Sequence, residues 1–61
     1  MKKEKKYRIS IINVNEVTDA LETEINKNIE HAESMSYNFQ DIKIIETSNG
    51  LVVLLTYWFY N

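Results

Sequence analysis

His31 is the only imidazole in the chain, and there is no cysteine. Nucleophilic catalysis needs a hydroxyl or thiol held beside a base. Ser10, Ser34, Ser36 and Ser48 supply hydroxyls, but none stands in a motif with a base, and His31 reads as a solvated residue on a helix flank. The single glycine excludes a glycine-rich phosphate loop. One histidine without cysteine excludes multi-histidine and thiolate metal sites. Paired carboxylates for glycoside chemistry need a cleft, and sixty-one residues are too few to build a deep one. The expectation is no enzyme, no metal and no cofactor.

Two features suit binding instead. Tyr57-Trp58-Phe59-Tyr60 offers flat π-faces, and with Lys43 nearby Trp58 and Tyr60 could stack a planar ligand such as a flavin or a nucleotide signal, in a pocket between subunits. The competing reading of the same aromatics is interface core. Glu16, Asp19, Glu22, Glu30 and Glu33 fall together on one side of a helical wheel. They read either as a solvated face or as an acidic ridge that meets a protein partner.

The elements that carry these residues follow from periodicity. Lys2, Lys3, Lys5, Lys6 and Arg8 are five of the seven basic residues, and from Ile9 onward eight carboxylates face only Lys27 and Lys43. Residues 1–5 are expected to be a flexible basic arm on a single small domain over 6–61. The lysines read as a solvated tail that keeps a sheet edge soluble. A phosphate-binding arm is the sharper alternative, but the acidic body opposes nucleic acid. No apolar stretch follows the lysines to make a secretory signal, and absent cysteine fits a reducing compartment, so a soluble cytoplasmic protein is expected.

A first strand is expected over 6–14, with Tyr7, Ile9 and Ile11 on one face and Ile12 and Val14 on the other. The phase slip between Ile11 and Ile12 implies a bulge there or cover on both faces. One helix is expected over 15–36, capped by Asn13 or Asn15. It buries Val17, Ala20, Leu21, Ile25, Ile29, Ala32 and Met35, with Asn28 near the middle of that stripe. A second strand fills 37–47. The third, 51–61, is uncharged and apolar on both faces, and is too short to cross a bilayer as a helix.

Asn49-Gly50 predicts a type I′ hairpin turn with Ser48 opposite Leu51 and Ile42 opposite Tyr57. Ile42, Ile44, Leu51, Val53, Leu55, Tyr57 and Phe59 then face the helix. Phe39, Ile45, Val52, Leu54, Trp58 and Tyr60 face away from it. A strand–helix–strand crossover closed by a hairpin puts the third strand in the middle. The expected fold is α+β, β-α-β-β, a three-stranded antiparallel sheet of order 1-3-2 covered on one face by a single helix. One helix covers one face, so the second set of apolar residues needs a partner. A homo-oligomer follows, most simply a dimer with sheets packed face to face.

The first strand ending at Val14, the helix segment Leu21-Glu22-Thr23-Glu24-Ile25-Asn26, the strand Asp41-Ile42-Lys43-Ile44 and the aromatic close at Tyr57-Trp58 together resemble a family of short sporulation-associated proteins of low-GC Gram-positive bacteria and their phages. The resemblance spans nearly the whole chain after the basic arm. It implies a small non-enzymatic protein and carries over no active-site residue. The element order is also similar to that of dodecins, flavin-storing oligomers, as architecture alone. The reading that follows is a self-associating interaction protein with a protein partner. The alternatives are ligand sequestration between subunits and a phage-type inhibitor of host defence acting through the acidic ridge.

Overall fold

A computed structural model describes residues 3–61; Met1 and Lys2 of the basic arm lie outside the described residues. The chain runs β1 (Lys5–Val14), α1 (Ala20–Ser34), β2 (Asn38–Thr47) and β3 (Gly50–Tyr60). The strands form one antiparallel sheet of order β1-β3-β2, the expected α+β arrangement. β3 is central, which accounts for its lack of charge.

β1 pairs with β3 without interruption, from Lys5 opposite Tyr60 to Val14 opposite Leu51. The anticipated bulge near Ile11 is absent from this ladder, and β1 is not covered on both faces. Ile12 is buried, while Tyr7, Ile9 and Ile11 are 58%, 59% and 62% exposed. Strand pairing also reaches into the supposed arm. Lys5 belongs to β1, and the Glu4 carbonyl accepts a hydrogen bond from the Asn61 amide at 3.0 Å. The long central strand supplies partners for these residues, so the sheet extends to Lys5 along this edge.

The helix starts later than its apolar pattern. Asn13 lies inside β1 opposite Val52, so it cannot cap a helix. Residues 15–19 carry the chain from the sheet edge to the helix layer. Thr18 ends this passage: its hydroxyl accepts from the Ala20 amide at 3.3 Å and its carbonyl from Leu21 at 3.0 Å. Asp19 holds the N-cap position but makes no side-chain cap bond. Val17 therefore lies outside the helix and is exposed, as Ala20 and Met35 are. The stripe that packs is Leu21, Ile25, Ile29 and Ala32.

At the other end Ser36 takes φ 69°, the Tyr37 amide donates to Ala32 O and the Ser36 amide to Glu33 O. These paired bonds form a Schellman closure with serine in the place usually held by glycine. They turn Tyr37 back onto the core.

The β2–β3 turn is centred on Ser48-Asn49, with Thr47 opposite Gly50. The expected register is thus displaced by two residues, and because side chains alternate with period two, the faces survive. Ile44 lies opposite Val53 and Ile42 opposite Leu55. Neither turn residue has positive φ, so this is not a type I′ turn; Gly50, which follows them, does, at 138°. A Cβ on Gly50 would run into the Val14 carbonyl oxygen, so glycine is required where β3 passes the end of β1. Thr47 secures the loop: its hydroxyl donates to Gly50 O at 3.1 Å and accepts from the Asn49 amide at 3.3 Å.

A bulge does occur, in β2. The register shifts between Phe39 and Asp41, which leaves Gln40 without a partner. Phe39 consequently pairs with Tyr57 and turns to the helix side, where the two rings meet edge to face at 5.9 Å. Its expected place on the far face is corrected by this inserted residue.

The core is small. Ile12, Ala32, Val53, Leu55 and Tyr57 are buried, with Val14, Leu21, Ile25, Ile29 and Tyr37 packed around them. Cover is uneven, since Ile42 and Ile44 face the helix side yet remain exposed. The radius of gyration is 13.3 Å. A compact chain of this length would have about 10.5 Å. The accessible surface is 5002 Å². A folded monomer of this mass has about 4100 Å².

Candidate functional site

The face of the sheet away from α1 is uncovered. Its geometry follows from the two ladders, in which cross-strand partners share a face. Tyr7, Trp58 and Asn38 form one row across the sheet. Ile9, Thr56 and Asp41 form the next, then Ile11, Leu54 and Lys43, then Asn13, Val52 and Ile45. The apolar content is concentrated on β1 and β3, and the polar groups on β2.

Five of the six residues assigned to this face from sequence lie on it: Ile45, Val52, Leu54, Trp58 and Tyr60. Phe39 does not, for the reason given above. The largest exposed contribution comes from Tyr7, Ile9 and Ile11, which the expected interface omitted. Their alternation in β1 was legible. Placing them beside Leu54 and Trp58 required the antiparallel register with β3.

The aromatic corner is built by Tyr7, Trp58 and Tyr60. Trp58 and Tyr60 meet edge to face at 5.4 Å. The cation beside them is Lys5, whose Nζ lies 4.8 Å from the Trp58 ring centre and 5.7 Å from that of Tyr7. Lys43 is opposite Leu54 instead. That is four residues along the strand from Trp58, or about 13 Å. The expected grouping of Lys43 with Trp58 and Tyr60 is therefore not assembled; Lys5 takes its place.

The acidic ridge is also partly dispersed. Glu22 and Glu30 are exposed on α1, Asp19 precedes its first turn, and Glu16 lies in the connection before the helix. Glu33 stands near enough to the core for its charge to be felt at Tyr57. The carboxylates expected to share one helical face thus span a helix, its cap and a loop, because α1 begins only at Ala20.

Among the described residues, no group of His, Asp and Glu side chains is placed to hold a metal ion. Also among them, no helix is long and apolar enough to cross a membrane. His31 and Ser10 line a common recess, but no hydrogen bond joins them among the described residues. The chain matches no family model, no curated protein and no solved structure.

Proposed function

We propose that this protein is a non-enzymatic interaction module that works as a homo-oligomer. The open face of its sheet makes the assembly, and the acidic helix side is left to meet a protein partner. The observation that carries this reading is the contiguous uncovered surface of Tyr7, Ile9, Ile11, Leu54 and Trp58, set against a core of five buried residues. The surface in excess of a compact monomer is about 900 Å². A standard interface buries about 800 Å² on each partner, so the excess is of the size that one partner would remove. Two sheets packed face to face would interdigitate these rows across about 10 Å.

Ile11 gives the cleanest test. It is highly exposed in the single chain. A glutamate there costs a monomer within about 0.5 kcal/mol, as surface substitutions usually do. In an assembled face the same carboxylate is buried without a partner and opposes association. Ile11→Glu should therefore lower the mass in solution.

A second reading is capture of a planar anionic ligand at the Lys5–Trp58–Tyr60 corner. The cation seated over the Trp58 ring favours it. A native mass spectrum of the purified protein free of any bound ligand, with no thermal shift across a nucleotide and flavin panel, removes it.

A further inference from the structure

The two edges of the sheet differ. On β1 the ladder with β3 fixes which main-chain groups are engaged and which are free. The Asn61 amide donates to the Glu4 carbonyl one step beyond the Lys5–Tyr60 pair. Hydrogen-bonded and non-bonded pairs alternate along an antiparallel ladder. Lys6, Arg8, Ser10, Ile12 and Val14 are therefore bonded to β3, while the N–H and C=O groups of Lys5, Tyr7, Ile9, Ile11 and Asn13 point out from the sheet. Among the described residues, none of these outward groups has a hydrogen-bond partner. The register of β1 is unbroken over its whole length, and α1 lies nearer β2 than β1. Such a long, regular, apolar edge is the kind that takes up another strand.

β2 is closed by contrast. The bulge at Gln40 interrupts its ladder. The Ile42 amide points outward, but the Asp41 carboxylate already accepts its hydrogen bond at 2.9 Å. Asp41, Lys43 and Glu46 set charge along the strand. Bulges and charges blunt a strand edge. One edge of the sheet is thus protected and the other is not.

We infer that β1 pairs antiparallel with β1 of a second copy, about a twofold axis beside Ile9. The residues of β1 select this occupant and this register. Outward groups must meet outward groups, so the axis passes beside Tyr7, Ile9 or Ile11. At Tyr7 it would set Lys6 against Arg8 of the second copy, and like charges directly opposite destabilise a sheet. At Ile11 it would shorten the pairing to Arg8–Val14 and leave Tyr7 without a partner. At Ile9 the pairing runs from Lys5 to Asn13, and Tyr7 faces Ile11 of the second copy, a favourable aromatic and β-branched pair. Lys5 then faces Asn13, Lys6 faces Ile12 and Arg8 faces Ser10. The Arg8 guanidinium is drawn to the Tyr37 ring of its own chain at 5.3 Å, away from its symmetry mate.

Two three-stranded sheets become one of six. Its remaining edges are the two blunted β2 strands, so the assembly closes as a dimer and does not grow into a fibre. The contact is made by main chain at the rim of the open face. It goes beyond face-to-face packing and does not require it.

The test is amide hydrogen exchange by NMR on the full chain, with an isotope-filtered NOE spectrum of mixed labelled and unlabelled protein. The amides of Tyr7, Ile9 and Ile11 should exchange at least about tenfold more slowly than those of Ile44 and Glu46, which share the outward phase of Ile42 on β2. Close α-proton contacts should join Arg8 to Ser10 between copies. Ile9→Pro removes one outward N–H and leaves the bonds to β3, as an edge position allows. It should return Tyr7 and Ile11 to fast exchange while Ser10 and Ile12 stay protected; the wild-type rates decide the matter even where that variant does not fold. Slow exchange with those contacts in an assembly of two chains whose Trp58 fluoresces as a water-exposed indole supports edge pairing and contradicts face-to-face packing. Fast exchange at Tyr7, Ile9 and Ile11 overturns the inference; where two chains still associate, packing through the open face stands without it. Slow exchange with another strand, or none, against β1 overturns it as well.

Discussion

Tyr7 and Trp58 stand opposite each other in the β1–β3 ladder, and the Lys5 ammonium lies over both rings. A lysine that charge alone would assign to a loose tail instead closes one corner of the open face. An exposed cation–π contact contributes about 0.5–1 kcal/mol. Lys5→Ala should lower the urea midpoint by an amount in that range at fixed protein concentration, whereas Lys3→Ala should leave it in place.

Gly50 is the position where backbone and packing restrict the residue together. Its φ of 138° disfavours any side chain, and an added Cβ meets the Val14 carbonyl oxygen. Positive-φ strain costs on the order of 1–3 kcal/mol before the clash is counted. Gly50→Ala should destabilise by about 3 kcal/mol or more, enough to unfold a domain this small, as read by circular dichroism and thermal melting.

Ser36 is the converse case. It closes α1 with φ 69°. The left-handed region costs a non-glycine residue roughly 1–2 kcal/mol, part of which glycine returns as chain entropy in the unfolded state. Ser36→Gly should raise stability by about 0.5–1 kcal/mol in urea unfolding. Ser36→Val should lower it.

Tyr57 makes stability depend on alkaline pH. Burial first, and then the charge of Glu33, hold its pKa above the ordinary 10.0. The unfolded chain releases this proton first. The stabilisation is therefore fully present below pH 10.0 and is lost as pH rises through the folded-state pKa. Urea midpoints should fall above about pH 10. In Tyr57→Phe the part of that fall due to this group should vanish. At neutral pH the substitution should be neutral or slightly stabilising, since it removes an unpartnered buried hydroxyl.

Much of this fold was legible in the residues. The apolar central strand, the β-α-β-β order and the 1-3-2 sheet follow from hydrophobic period, a hairpin signal and the chirality of crossovers. Face assignment withstood an error in the turn because the displacement was by an even number of residues. The bulge at Gln40 was not legible, since no glycine or proline marks it, and it alone moved Phe39 to the other face. The helix start was misplaced because Val17 continues the apolar period, while Thr18 closes the first turn through its own hydroxyl. Of the open face, the β3 half was visible in sequence. The exposed β1 half emerged only once the strands were paired. The recess that brings Ser10 beside His31 was invisible, because it joins β1 and α1 residues that no local motif connects.

The most direct measurement is the mass in solution by light scattering at micromolar concentration, for the wild-type chain and for Ile11→Glu. The wild-type chain should have at least twice the 7.2 kDa of one chain, and Ile11→Glu should fall toward that single-chain mass while keeping its circular dichroism. A folded wild-type monomer at that concentration, with its sheet face open to water, would contradict self-association through this face.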